Sequence, residues 1–228
     1  MDNVIELKHV DKVYSNGVDL QVLFDINLSF EAGSFNSIVG QSGSGKTTLL
    51  NIIGTLDRPS RGEVIIDGNR IDMITKDKIA ELRNRVIGFV FQFHFLLPEF
   101  TALENVLMPH RIQQPHVSGD VLKRADDLFE LVGISRVKNN PATRMSGGQQ
   151  QRTAIIRALI NNPKLILADE PSGNLDTENT ESIYRTFRDI NKEFGTTFII
   201  VTHDRRIAEQ TDRIVEIRDG RIVMDLKR

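Results

Sequence analysis

Gly40, Gln41, Ser42, Gly43, Ser44, Gly45, Lys46, Thr47 and Thr48 form the stretch whose reading decides the fold. They satisfy the spacing G-x-x-x-x-G-K-[ST] at every required position, a loop whose glycines let backbone N–H groups turn inward around phosphates. Lys46 brings a positive point charge to the β- and γ-phosphates, and the Thr47 hydroxyl suits a Mg²⁺ ion. The flanks agree with the loop. Phe35 to Val39 predict a short buried strand and Thr48 to Ile53 carry helical apolar spacing, the strand, loop, helix order such a cradle needs. Which nucleotide is bound, and what its energy drives, does not follow from the loop.

The rest of the composition narrows the classes. At 228 residues the chain can bury a good core and hold one domain or two closely joined lobes. Its 29 Lys and Arg against 31 Asp and Glu leave a net charge of -2, so no general basic field invites nucleic acid. The absence of cysteine excludes disulfides, thiolate metal sites and cysteine nucleophiles. Met1 to Val10 carry Asp2, Glu6 and Lys8 with no apolar run, unlike a secretory signal. No window approaches the ~18 consecutive apolar residues of a spanning helix. Any membrane role is therefore expected through a partner.

Val4 to Val13 and Val18 to Phe30 alternate apolar and polar residues as half-buried antiparallel strands do, with Tyr14 between them. Near a phosphate loop that aromatic suits stacking on an adenine ring; packing on a strand edge explains it as well. Asp67-Gly68 and Asp219-Gly220 each mark a hairpin turn between short apolar runs, and both hairpins read as structural. Lys76 to Arg85 predict a helix and Val86 to Phe91 a strand. Gln92 follows at its carboxyl end, where open α/β sheets place ligands.

From Phe93 to about Asn140 the pattern turns helical, with Ala102 to Leu107 and Val121 to Val132 as helices and Pro98, Pro109, Pro115 and Pro141 as punctuation. This predicts a helical lobe inserted at residues 93–160 into a core formed by 1–92 and 161–228. Phe93, Phe95, Leu96, Leu97 and Phe100 form a dense apolar run beside Gln92. Burial in the small lobe is expected for most of them, with a groove for a partner helix as the alternative. Ser146 and Gln149 form a capping box that opens a helix, but Gly147 and Gly148 between them weaken a helix by ~1 kcal/mol each. They leave its first N–H groups uncovered, as an anion site requires.

Leu165 to Ala168 predict a buried parallel strand ending in Asp169 and Glu170. Two adjacent carboxylates at a strand end are costly unless something uses them. With the phosphate loop upstream, Asp169 suits Mg²⁺ through its water shell, and Glu170 suits orienting and deprotonating an attacking water. Pro171 to Asp176 read as a turn with Asp176 capping the next helix. Phe198 to Val201 form another apolar strand ending in Thr202, His203 and Asp204, and the shared strand edge favours a γ-phosphate contact for His203 over a structural histidine.

Together these motifs resemble the ATP-binding cassette (ABC) ATPases over essentially the whole chain. The resemblance matches Tyr14 to the adenine-stacking aromatic, Gly40 to Thr48 to the phosphate loop and Gln92 to the glutamine loop, which contacts nucleotide-bound Mg²⁺. It matches Ser146, Gly147, Gly148 and Gln149 to the signature sequence, Asp169 to the metal-binding Asp, Glu170 to the catalytic Glu and His203 to the switch His. Met145 stands where the family usually has Leu, a near-isosteric apolar change. Gly54 to Arg58, Gly88 to Gln92 and Glu170 to Asp176, with Gly173 and Asn174, look like the lipoprotein-releasing, macrolide-exporting and division-associated branch. The chain runs to Arg228, just past the last hairpin, so the extra C-terminal regulatory domain of some importers is not expected.

The resemblance implies an α/β P-loop NTPase of ABC type: a mixed-sheet core, an N-terminal antiparallel β-subdomain and an inserted α-helical subdomain. It implies ATP and Mg²⁺ as ligands, with Glu170, His203 and Lys46 serving catalysis and Thr47, Gln92 and Asp169 around the metal. Its partners would be a second copy, paired head to tail around two ATP, and an integral membrane permease. Such a subunit works in the cytoplasm, peripheral on the inner face of the cell membrane. A regulatory ATPase controlling cell-wall hydrolases shares every motif. Soluble chromosome-maintenance ATPases, which bind nucleic acid, share the loop and the signature. They place long coiled coils between loop and carboxylates, and no heptad run separates Lys46 from Asp169 here.

Overall fold

A computed structural model describes residues 2–15, 17–173 and 177–228. The sequence forms two sheets because it contains two kinds of strand. β1 (Asn3–Ser15) and β2 (Asp19–Glu31) pair antiparallel, and β4 (Arg61–Ile66) and β5 (Asn69–Arg70) extend them into the order β2-β1-β4-β5. The short runs β3 (Phe35–Val39), β6 (Ile87–Phe91), β7 (Leu165–Asp169), β8 (Thr197–Val201) and β9 (Arg213–Arg218) lie parallel. Antiparallel β10 (Arg221–Lys227) closes one edge, giving β10-β9-β3-β8-β7-β6.

β6, β7 and β8 are mostly apolar because both faces are covered, whereas β3 carries buried Asn36 and Ser37 and β9 carries Arg213 and Glu216. Leu165, Leu167, Ile199 and Val201 face a core shared with the first sheet and with α1 (Lys46–Ile53). Ile166, Ala168, Phe198 and Ile200 face the opposite way, into a second core. There they meet α3 (Ala102–Gln113), α4 (Gly119–Leu131), α5 (Gly147–Leu159) and α6 (Thr177–Phe194). Each strand thus ties two cores together through its period-two alternation. The remaining helices are α2 (Lys76–Val86) and the short α7 (Arg205–Ala208). No helix among the described residues is long and apolar enough to cross a membrane.

Several boundaries differ from the sequence expectation. Tyr14 lies inside β1, paired with Leu20, because β1 and β2 stay paired, through several register shifts, almost to their turn. Helix α1 begins at Lys46 rather than Thr48, and Val86 ends α2 rather than opening β6. Pro109 does not end α3, which continues to Gln113. Its carbonyl accepts from Asn84 Nδ2 (3.0 Å), a side-chain partner from α2. Asn174 and the proposed cap Asp176 lie outside the described residues.

The register explains why the chemistry gathers at one edge. Phe91 pairs with Asp169, Asp169 with Val201, and Val201 with Ile38. The segments leaving these strand ends, namely Gln92, Glu170, Thr202-His203 and the glycine loop, therefore emerge side by side.

Candidate active site

Those segments enclose a cleft of about 590 Å³ that joins the loop from Ser42 to Thr48 with Gln92, Asp169, Glu170 and His203; Val22 of β2 forms part of its wall. The loop is held from below. Gly45 sits at φ 104, and a Cβ there would fall 2.9 Å from Leu23 Cδ2, so only glycine fits both the turn and the contact. The Ser44 carbonyl accepts the Gly220 N–H (3.0 Å), and the Gly220 carbonyl accepts the Phe24 N–H (2.9 Å). Gly220 is at φ 71, with a prospective Cβ only 2.2 Å from the Val22 carbonyl oxygen. The turn of the last hairpin, read from sequence as structural, thus fastens the phosphate loop to β2.

Inside the loop, Lys46 is nearly buried and its Nζ donates to the carbonyls of Gly40 (3.0 Å) and Gln41 (2.9 Å). Ser44 Oγ is buried with no hydrogen-bond partner. An unpaired buried polar atom costs about 1–3 kcal/mol and marks a place where a polar ligand belongs. Both observations suit a polyphosphate whose oxygens satisfy these donors.

Asp169 ends β7 beside the loop, and the Thr47 hydroxyl donates to its Oδ2 at 3.5 Å. Burial raises its pKa above the usual carboxylate value and the charge of Glu170 adds to this, while Thr47 and Lys46 pull the other way. A hydroxyl and a carboxylate oxygen side by side are hard ligands of the kind Mg²⁺ shares with phosphates and water.

Glu170 adopts φ 43, a left-handed conformation that costs a non-glycine residue ~1–3 kcal/mol. Its N–H is held by the Val201 carbonyl (3.0 Å) and its own carbonyl accepts from the Gly173 N–H (3.0 Å), so the sheet and the following turn impose the strain together. Its Oε1 lies 3.1 Å from His203 Nδ1, an exposed ring that reaches the carboxylate from the end of β8. The Gln92 amide packs against Gly173, where a Cβ would fall 2.6 Å from Nε2.

Sequence reading missed the residues that brace these loops. Gln151 of α5 is wholly buried, and its Nε2 donates to the Pro171 carbonyl (2.6 Å). Its Oε1 is then left to accept from His94 Nδ1 at 2.5 Å. Arg157, one and a half turns further, donates to the carbonyls of His94 (2.7 Å) and Phe95 (2.6 Å). One helix therefore grips the segment after Gln92, and through Gln151 also the turn after Glu170. The available signal was a glutamine in the same helical stripe as buried Ile155 and Leu159.

Two sets of expected residues stand outside the cleft. Ser146, Gly147, Gly148 and Gln149 open α5 with both capping-box bonds formed, Gln149 N–H to Ser146 Oγ (3.4 Å) and Ser146 N–H to Gln149 Oε1 (3.0 Å). They do not reach their own chain's phosphate loop. Tyr14 does not line the cleft either, although the Thr48 hydroxyl lies beside its phenol.

The apolar run after Gln92 is less buried than expected. Leu96 packs on the second core, but Phe93 and Phe95 are 62% and 64% exposed and Leu97 is exposed too. Phe95 takes φ 47 and stacks edge-on against Phe91 (5.4 Å), so these rings cover one another on the surface. They adjoin an apolar groove of about 410 Å³ lined by Leu56, Phe89, Phe91, Met108 and Ile112.

The family model described as ABC transporter matches residues 23–173. The chain is 48% identical over 224 residues to the lipoprotein-releasing system ATP-binding protein LolD 1 of Rhodopseudomonas palustris, covering 97% of this chain and 99% of that protein. It is 49% identical to the lipoprotein-releasing system ATP-binding protein LolD of Anaeromyxobacter dehalogenans, over 97% and 93% of the two chains. Among solved structures, a dimeric ATP-binding cassette in a post-hydrolysis state bound to ADP and Pi superposes with a TM-score of 0.89 at 41% identity, covering 98% of each chain.

Proposed function

From the premise that this chain belongs to the ABC transporter family and is an ATP-hydrolysing cassette, we propose that it is the ATPase subunit of a lipoprotein-releasing complex. Two copies close head to tail around two ATP and drive a membrane permease from its cytoplasmic side. The cleft in which the phosphate loop, Gln92, Asp169, Glu170 and His203 meet supports the ATPase part of this reading, and the 48% and 49% identity to lipoprotein-releasing ATP-binding proteins carries the choice of complex.

That geometry supports the roles proposed for the residues lining the cleft. Gly40 to Thr48 wrap the phosphates, and Lys46 exchanges its two loop carbonyls for phosphate oxygens. Thr47 and Asp169, with Gln92 beside them, would hold Mg²⁺, which when bound neutralises charge on the β- and γ-phosphates. Glu170 orients the attacking water and takes its proton, and His203, already paired with Glu170, stands where the γ-phosphate is cleaved. Tyr14 stacks on adenine. Ser146, Gly147, Gly148 and Gln149 face the γ-phosphate held by the opposite copy, which accounts for their distance from their own cleft. Residues 93–160 act as a helical lobe moving against the core of 1–92 and 161–228, and Gln92 links that movement to the nucleotide.

The exposed aromatics at Phe93 and Phe95, with the groove between Leu56 and Ile112, suit a cytoplasmic helix of the permease. Docking there holds the subunit at the inner face of the membrane. The test is to purify the membrane protein that accompanies this chain and reconstitute both in vesicles loaded with an acylated lipoprotein. ATP-dependent release, lost in Glu170→Gln, is expected. A partner whose external domain engages a wall hydrolase or a pump component, with no lipoprotein released, rejects this assignment.

A further inference from the structure

Behind Tyr14 lies a charged cluster that none of the roles above uses. Lys12, two positions earlier on β1, is only 8% exposed. Its Nζ donates to Asp57 Oδ1 (2.6 Å) and to the Arg58 carbonyl (2.8 Å), and it stands 4.6 Å over the Tyr14 ring centre. The Tyr14 hydroxyl donates to the other oxygen of the same carboxylate, Asp57 Oδ2, at 2.8 Å. Asp57 is fixed in turn by the Arg58 N–H (2.7 Å), in the loop that follows α1. Burial opposes ionisation of Asp57, yet the hydrogen bonds from Lys12, Tyr14 and the Arg58 backbone hold its carboxyl below the usual range. Burial and then Asp57 raise the Tyr14 phenol, which keeps it a donor.

A buried lysine is expensive unless something needs it. Here it does two things to one ring. It covers one face, leaving the other for a ligand, and its charge draws on the ring electrons from behind, which favours stacking against an electron-rich base. The carboxylate fixes the direction of the ring axis by holding the hydroxyl, while Lys12 against one face restricts rotation of the ring about that axis.

We propose that Lys12 and Asp57 are positioning residues for nucleotide-base recognition, clamping Tyr14 so that a single ring face is presented to a purine. The inference rests on the adenine reading of Tyr14. It also ties the base subsite to α1, whose first turn carries the phosphate loop and whose end leads directly into Asp57, so base and phosphates are gripped by one element and its loop.

The experiment measures Mg²⁺-dependent binding of ATP and of inorganic tripolyphosphate to the full chain, by calorimetry. Tyr14→Phe keeps the ring and the Lys12–Asp57 pair but removes the phenol bond, and Lys12→Met keeps the stem but removes the charge. Each is expected to weaken ATP binding roughly 2- to 10-fold, the range of one hydrogen bond or cation–π contact, with tripolyphosphate unchanged. Asp57→Asn should behave likewise, its folding checked by circular dichroism. Wild-type ATP affinity in Tyr14→Phe or Lys12→Met, or an equal loss for tripolyphosphate, overturns the clamp. Tyr14→Ala separates the two layers. If it too leaves ATP binding intact, the adenine reading fails with the clamp; if it alone weakens ATP, that reading stands and the clamp falls.

Discussion

Glu170 is held in a left-handed conformation by the Val201 carbonyl on one side and the Gly173 N–H on the other, so its carboxylate is aimed by the backbone. Glu170→Gln keeps the shape and removes the base. Phosphate release should fall by ~10² to 10⁴, as loss of a general base does, while ATP-induced pairing seen by light scattering persists; unchanged turnover would remove Glu170 from that role. Asp169 gives a stability prediction of opposite sense. Burial and the neighbouring Glu170 raise its pKa in the folded chain, so folding favours its protonated form. Stability falls as pH rises through the folded pKa and stays lowered above it, where the carboxylate is ionised. Asp169→Asn should therefore raise the melting temperature of the nucleotide-free protein, by about 2–4 °C per kcal/mol, while abolishing hydrolysis. A lower melting temperature would show that the carboxylate is stabilising as it stands. The identities of Asp169 and Glu170 were legible from their strand end and the loop upstream. The strain at Glu170 was not, because although the turn after it is legible, the Val201 carbonyl that holds its N–H comes from β8, far away in sequence.

Among the elements, α5 connects the most. Its first turn carries Ser146 to Gln149, Gln151 reaches both His94 and the Pro171 carbonyl, and Arg157 holds the backbone of Phe95. Gln151→Ala leaves a buried carbonyl and an imidazole N–H unpaired. It should cost about 1–3 kcal/mol of unfolding free energy and lower kcat more than it raises the KM for ATP, because it loosens the turn after Glu170 rather than the phosphate cradle. A change in KM alone would confine Gln151 to packing. Helix α5 was visible through its cap and apolar stripe, and the strands through their unbroken apolar runs. Long-range partners were not visible. Pro109 reads as a break although α3 runs on to Gln113, and Phe93 and Phe95 read as core because periodicity cannot tell a buried ring from one that packs on its neighbours in solvent.

For the whole molecule, the proposed action of Ser146 to Gln149 on the nucleotide of a second copy predicts that hydrolysis is a property of pairs. Specific activity should climb with protein concentration and fall away on dilution, while ATP binding per chain stays constant. Activity strictly proportional to protein would show that one copy suffices. The motif order was enough to anticipate the fold, since the phosphate loop, Gln92, Asp169-Glu170 and His203 each follow a strand end and the parallel register lines those ends up. It was not enough to anticipate that the floor of the phosphate loop comes from the far end of the chain.

That floor, the Gly220 turn bonded to Ser44 and Phe24, bears on how the protein comes into being. During synthesis the complete glycine loop leaves the ribosome long before the hairpin beneath it exists. A nascent chain ending at Arg218 would display every recognisable motif and still lack a rigid cradle. Nucleotide capture should switch on only once the Gly220 turn has been made, which would keep the growing polypeptide from engaging ATP, or a second copy, before its sheet is closed. Stalled chains of increasing length, probed with a photoreactive ATP analogue, should show labelling appear when Gly220 clears the exit tunnel.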